Sequence, residues 1–464
     1  MTIPGTFYGV NIGLSGLTSA QAAQTVTGNN IANAGTAGYT EESADIVQGP
    51  EGPTTGPNSG VIVSNYGSGA VVNTITRSRD QYLDAQYRTA NGNSSSDSAL
   101  SSALGNVQDS FNEPSSNGIS EAISSFFTNV TNLQNSPSDI GVRASVIDSG
   151  AALAQSIQTV QSNLSSNNQS LATNVSDDMT QVNSIGQQIA SLNQQIIVAT
   201  AENTQPNTLL DQRDLLVDNL SKLVNVTASA TPNGGVNIAV GSSQLVAGDT
   251  ANTVTLSTLQ SRGDLQSGEV YGLTQAQGDI AGYQSNLNTL AATIVTQVNN
   301  VQTTGMGLDG STDVPFFTAT AGSEASTIAV NPTLQNDPSQ LAAAAVVAAP
   351  ATTPPPSDAS NAVLLQNVST TTQSALGNQT IAAYFNSVVT ALGNTASNAT
   401  TQATDTGATA TQLSNQRASI EGVSTDSEMT NMMIYQRSYQ ASAQYIATQD
   451  DMLNTLVNSI FGTT

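Results

Sequence analysis

"GNNIANAGTAGYT", residues 28–40, is the stretch on which the reading of this chain turns. It is small, polar and rich in Asn and Gly, a composition that favours turns and caps over helix interior. Yet a stripe of Phe7, Val10, Leu14 and Leu17, spaced by threes and fours, runs towards it. That spacing predicts a helix over 7–27. The chain is then expected to turn, with Gly28, Gly35 and Gly38 free to take positive φ and Asn29, Asn30 and Asn33 capping locally or tolerating left-handed backbone. At the other end, "DSEMTNMMIYQRSYQASAQYIATQDDMLNTLVNSI" forms residues 426–460. Met432, Tyr439, Ile446, Leu453 and Ile460 recur there at sevens, with Tyr435, Ala443, Leu456 and Val457 between them. A helix with such a seam needs a partner helix. The first helix is the candidate within the chain, and neighbouring copies are expected to cover what remains.

The bulk composition narrows the function. The chain has 464 residues, enough for two to four domains with real cores. Its net charge of −24 argues against nucleic acid and against anionic membrane as partners. Cys, His and Trp are absent, so there are no disulfides, no thiolate or imidazole metal ligands, and no His base. No cofactor or metal is expected, and enzymes become an unfavoured class. The first cation is Arg77, so the basic n-region of a Sec signal is missing. The longest aliphatic run, Leu341 to Ala349, is too short to span a bilayer. A surface rich in Ser, Thr, Asn and Gln suggests an extracellular protein that leaves by another route.

Between the ends the pattern is mostly helical. A Gly/Pro loop covers 49–60, and "GVIVSNYGSGAVVNTIT" (60–76) reads as a short hairpin. Helical spacing runs from Arg79 to about Phe111 and again through Ile119, Ile123, Phe126, Phe127, Val130 and Leu133. "NSPSD" (135–139) starts the longest periodic stretch, to about Glu202, and its Val175, Val182, Ile189 and Ile196 fall at sevens. This seam is assigned to an intramolecular core. "NTLLDQRDLLVDNLSKLVNV" (207–226) predicts a helix with an apolar face of Leu209, Leu210, Leu216, Leu220 and Leu223. Its Arg213, Asp211, Asp214 and Asp218 are read as a solvated face. A hairpin follows over 233–248, then a helix over 268–301, a turn-rich and Pro-rich region over 303–360, and two helical blocks divided at 421–425.

The opening segment also carries a resemblance. "SGLTSAQAAQTVTGNNIANAGTAGYT" resembles the N-terminal signature of flagellar rod, hook and hook-associated axial proteins. Ser15, Gly16, Leu17, Asn29, Asn30, Ile31, Ala32, Asn33, Thr36, Gly38 and Tyr39 match it. Ala37 stands where Pro is usual, and Glu41 where a basic residue is common. The 207–248 segment, Ser124 to Phe127, "NSPSD" and the C-terminal block are similar to the hook–filament junction members of that family.

The resemblance implies a mainly α protein with a smaller β part, a discontinuous multidomain axial protein. Residues 1–33 plus 426–464 would be a terminal coiled-coil tube domain. Residues 34–225, 268–302 and 361–425 would be an elongated helical core, 226–267 a β-hairpin segment, and 303–360 a variable outer β/irregular region. It further implies a ring of about eleven copies between hook and filament, the number given by the family's helical lattice, with the hook protein and a second junction protein as neighbours. A cytoplasmic export chaperone would hold the C-terminal helix before flagellar type III export. The subunit-packing residues would be Leu14, Leu17, Asn29, Asn30, Ile31, Asn33, Tyr39, Met432, Tyr435, Tyr439, Ile446, Leu453, Leu456 and Ile460. The alternatives are another axial protein, or an extracellular hydrolase using two of Glu113, Glu121, Glu202 and Glu269.

Overall fold

The computed structural model describes residues 7–49, 67–348 and 352–461. Helix dominates. The chain runs α1 (Tyr8–Asn33), β1 (Glu42–Gln48), β2 (Ala70–Arg77), α2 (Gln81–Phe111), α3 (Ile119–Asn135), α4 (Ile140–Ala201) and α5 (Asn207–Leu223). Four strands follow, β3 (Thr227–Ala230), β4 (Val236–Val240), β5 (Ser243–Ala247) and β6 (Thr250–Ala251), then α6 (Leu256–Arg262) and α7 (Glu269–Gln302). Short pieces come next: β7 (Gly305–Met306), β8 (Phe317–Thr318), α8 (Glu324–Thr327), β9 (Ala329–Val330), α9 (Pro332–Asn336) and β10 (Ala344–Ala345). The chain closes with α10 (Ser360–Thr370), α11 (Ile381–Glu421) and α12 (Thr425–Phe461). These elements fall into two compact units. One contains 1–92, 181–266 and 407–464, and the other 93–180 and 267–406.

The first unit holds both chain ends. Its four-stranded antiparallel sheet has the order β3-β4-β5-β6, so the expected hairpin is the centre of a larger sheet. Val236, Ile238 and Val240 alternate inwards along β4, the period a half-buried strand requires. The late part of α4 buries Val182, Ile185, Ile189 and Ile196, so this stretch of the seam is core, as expected. Asn193 interrupts the seam without cost in unpaired groups. Its Nδ2 donates to the carbonyls of Val236 (2.7 Å) and Gly248 (2.6 Å), and its Oδ1 accepts from Val236 N.

The expected hairpin over 60–76 needs correction. Residues 60–66 lie outside the described residues, and the remainder is β2. Its partner is β1, with Glu42 opposite Arg77 and Val47 opposite Val71. The mostly exposed β1 has too little apolar alternation to register as a strand.

The second unit buries what its helical periods promised. Ile119, Ile123, Phe126, Phe127, Val130 and Leu133 all face inwards on α3. Phe111 packs against Tyr283 at 6.0 Å and Phe385 at 6.3 Å between ring centroids. Residues 303–348 are turns, two-residue strands and the short helices α8 and α9, but they are anchored. Phe316 and Phe317, fully buried, meet Phe126 at 5.4 and 6.0 Å. Arg143, 2% exposed, donates to the carbonyls of Pro137, Ser339 and Leu341. Burial lowers its pKa to about 10, which leaves it charged at neutral pH.

Removing the anchor tests this packing. Phe316→Ala is expected to cost about 3–5 kcal/mol through lost burial and an unfilled cavity. Urea unfolding followed on the second unit reads it. A cost near zero would mean that 303–348 is not part of this core.

Candidate assembly site

The two chain ends meet as a helix pair. A Cβ placed on Gly9 would strike Gln449, one on Gly13 Ile446 and Tyr445, and one on Gly16 Ser442. Asn30 bonds Glu428 further along. Numbers rise on α1 as they fall on α12, so the helices are antiparallel. The face of α1 that makes this contact is a run of small residues: Gly9, Gly13, Gly16, Ala20 and Ala23, spaced four and three in turn. Such a heptad lets two helix axes approach closely.

This corrects the expected face of α1. Phe7 is 68% exposed and Leu14 50% exposed, so both point away from α12. Leu17 is half-buried. A hydrophobicity pattern passes over Gly and Ala, and the signal that would have found the seam is their seven-residue repeat. On α12, Met432, Tyr435, Ile446 and Leu453 are half-buried, while Tyr439 and Leu456 are exposed. The side chain of Ile460 lies outside the described residues.

The Asn-rich segment is not a simple exit from the helix. α1 continues to Asn33, and Gly28 lies inside it. Exposed Asn29 accepts from Asn33 Nδ2 through its backbone oxygen at 3.0 Å and its Oδ1 at 3.1 Å, so these side chains reinforce the last turn. Ile31 is half-buried. Of the three glycines only Gly38 takes positive φ, at +80°, and a Cβ there would press on Leu215 at 3.0 Å.

Asn30 is the pin of this region. It is fully buried, and all its polar capacity is satisfied. Its Nδ2 donates to Glu42 O (2.8 Å) and Glu428 Oε2 (3.1 Å). Its Oδ1 accepts from Tyr39 Oη (2.8 Å) and Glu42 N (3.0 Å). One side chain thus ties α1, the following loop, β1 and the first turn of α12. Burial, with the carboxylates of Glu42, Asp211, Glu428 and Glu41 nearby, raises the pKa of Tyr39 and keeps it a donor. Ser15 of the signature accepts from Ala70 N, which fixes the start of β2 against α1.

Beneath this pin lies an ion-pair network that sequence reading placed at the surface. Asp211, Asp214 and Asp218 of α5 are each under 9% exposed. Arg77 pairs with Asp211 (2.7 Å) and Asp214 (2.9 Å). Arg79 reaches Asp84 (2.7 Å) and Asp214 (3.1 Å), and Arg213 also pairs with Asp214 (2.9 Å). Arg88 pairs with Asp218 (2.7 Å). Arg417 of α11 reaches Asp218 (2.7 Å), Asp84 (3.0 Å) and Glu421 (2.8 Å), and covers the ring of Tyr87 at 4.8 Å. Five guanidiniums thus face five carboxylates. Of the Leu face expected for α5, Leu220 and Leu223 are buried and Leu209, Leu210 and Leu216 half-buried; the acidic row, expected in solvent, is buried as well because the counter-charges come from β2, α2 and α11.

Burial opposes ionisation of Asp214, but Arg213, Arg79 and Arg77 outweigh it and hold its carboxyl below the usual range. Burial raises Glu421 despite Arg417. Thr40 N donates to Asp211 Oδ2 at 3.2 Å, and Glu41 N to Glu421 O at 2.8 Å, so the signature loop rests directly on the network.

Two of the four carboxylates of the hydrolase alternative have structural duties. Glu113 accepts from Ser120 N at the start of α3, and Glu121 accepts from Ser125 Oγ.

An acid carboxyl held low contributes stability above its unfolded pKa and loses it as pH falls through the folded value. Asp214→Asn leaves buried guanidiniums short of charge. It is expected to cost about 3 kcal/mol at pH 7, with a gap from the parent that narrows towards pH 3. Urea midpoints at both pH values check this, and a gap that widened in acid would contradict the role given to Asp214.

Comparison with known proteins agrees with this geometry. Residues 104–317 match the model of the flagellar hook-associated protein FlgK helical domain. Residues 11–40 match that of flagella basal body rod proteins, and 415–459 that of the flagellar basal body rod FlgEFG protein C-terminal. The chain is 27% identical to flagellar hook-associated protein 1 of Bacillus subtilis, over 98% of each chain. It is 24% identical to that of Escherichia coli, over 97% of this chain and 99% of the other. In fold it is similar to the flagellar hook junction protein FlgK from Burkholderia pseudomallei, with a TM-score of 0.64 at 16% identity, covering 72% of this chain and 100% of that one. Along nearly its whole length the chain is thus similar to FlgK, a flagellar hook-associated protein and structural component of the flagellar axis.

Proposed function

We propose that the protein is the structural subunit of a ring between hook and filament, and that filament growth requires it. The observation that carries this reading is the uncovered side of the terminal helix pair. α1 occupies one side of α12, yet Met429, Met433, Ile434, Met452, Leu456 and Val457 remain about half exposed or more. An apolar stripe of that extent on a soluble helix marks a contact surface. Tyr439 and Leu456 of α12 and Leu14 of α1 belong to the subunit interface. Leu17, Met432, Tyr435, Ile446 and Leu453 support it from within the pair. Asn29, Asn30, Ile31, Asn33 and Tyr39 hold the geometry at its base, and Ile460 continues the seam.

Residues 1–33 with 426–464 act as the tube domain. The other segments, 34–225, 268–302 and 361–425 with 226–267 and 303–360, form the core and outer parts. The ring takes about eleven copies, the number the family's helical lattice implies. The hook protein lies on one side and the second junction protein on the other. The chain leaves through the flagellar type III channel, with a chaperone covering α12 beforehand. No helix among the described residues is long and apolar enough to cross a membrane. The role is structural, not catalytic.

Electron microscopy of cells lacking the gene, with flagellin assayed in the medium, tests this reading. Complete hooks without filaments, and flagellin lost to the medium, are expected. The same result is expected when 426–464 alone are removed. Missing hooks would move the protein to rod or hook, and normal filaments would overturn the reading.

A further inference from the structure

The charge inventory points to one contact in particular. The chain has nine basic residues against thirty-three acidic ones. Arg77, Arg79, Arg88, Arg213 and Arg417 are held in the buried network. Arg143 is buried among carbonyls, and Arg262 lies beside Ser243 and Asp264. Lys222 sits in the last turn of α5, where the helix dipole favours a cation. Arg437 remains. It is exposed on α12 and forms no ion pair among the described residues.

Its position is informative. Ile434, Arg437, Ala441, Met452 and Leu456 fall on one side of α12 at helical spacing, and all are exposed. Arg437 is therefore the single cation of the uncovered stripe. Covering that stripe with an apolar partner alone would strand a desolvated guanidinium. Whatever covers it has to bring a carboxylate.

We infer that the partner is a second copy of α12 and that Arg437 of one copy pairs with Asp451 of the next. Asp451 lies two heptads beyond Arg437 and so occupies the same flank of the helix. It is exposed and has no ion-pair partner among the described residues. Asp426, on a similar flank, already lies in the first turn of α12, where the helix dipole satisfies it. A parallel neighbour shifted by about 21 Å along the helix, at 1.5 Å per residue, aligns the two groups. In a chain of net charge −24 this pair also relieves repulsion between copies exactly where they touch. The inference rests on self-assembly through α12 and adds its register.

The natural lack of cysteine makes the register readable. One copy carrying Arg437→Cys and another carrying Asp451→Cys are co-expressed in cells lacking the gene, and isolated flagella are treated with a short bismaleimide, whose arm spans the reach of an arginine that a disulfide cannot, and run on a denaturing gel. A cross-linked dimer is expected, and none when Asp426→Cys replaces Asp451→Cys. In parallel, Arg437→Glu is expected to reduce filament number about tenfold, and Arg437→Glu with Asp451→Arg to restore it. Filaments with no 437–451 cross-link, a 437–426 cross-link instead, or an indifferent Arg437→Glu would overturn the pairing while leaving the junction role intact. Normal filaments in cells lacking the gene would remove both.

Discussion

The row of aspartates that α5 carries into the first unit constrains everything around it. Three carboxylates on successive turns cannot be buried without counter-charge. Arg77, Arg79, Arg88, Arg213 and Arg417 supply it from five places along the chain. This draws β2, α2, α5 and α11 to one centre. The loop that follows α1 lies on that centre through Thr40 and Glu41, and Asn30 then fixes α1 to the first turn of α12. The helix pair is therefore fixed at this end and continues along a seam of small residues.

The same constraint shapes the surface. More than half of the basic residues are enclosed, and the exterior is left strongly acidic. Copies of such a protein repel one another unless contacts are specific. Apolar burial along α12 supplies attraction, and one exposed arginine in that stripe sets where an acidic neighbour can sit. Stability of the subunit and selectivity of its assembly thus draw on one small stock of cations.

What the sequence revealed follows from where its signals are local. The periods of α3 and α4 were legible because Ile119 to Leu133 and Val182 to Ile196 repeat large apolar residues at helical spacing. The face of α1 was not, because Gly and Ala carry little hydrophobic signal and their meaning lies in close approach. The acidic row on α5 was misread because its partners Arg77 and Arg417 are more than a hundred residues away in the chain. β1 was missed for want of alternation, and its identity depends on β2. Asn30 was singled out by its motif, but its four hydrogen bonds could only be seen once the chain was folded.

The pairing of the two chain ends within one molecule is the central claim, and a disulfide tests it directly. The Cβ position of Gly16 lies 3.6 Å from Cβ of Ser442, within the span a disulfide bridges. Gly16→Cys with Ser442→Cys, in a chain that otherwise has no cysteine, should oxidise to an intrachain bridge in dilute monomer. That bridge would show as a faster-migrating single chain on a gel without reductant. Reduced monomer only, or dimers joined between chains, would contradict it.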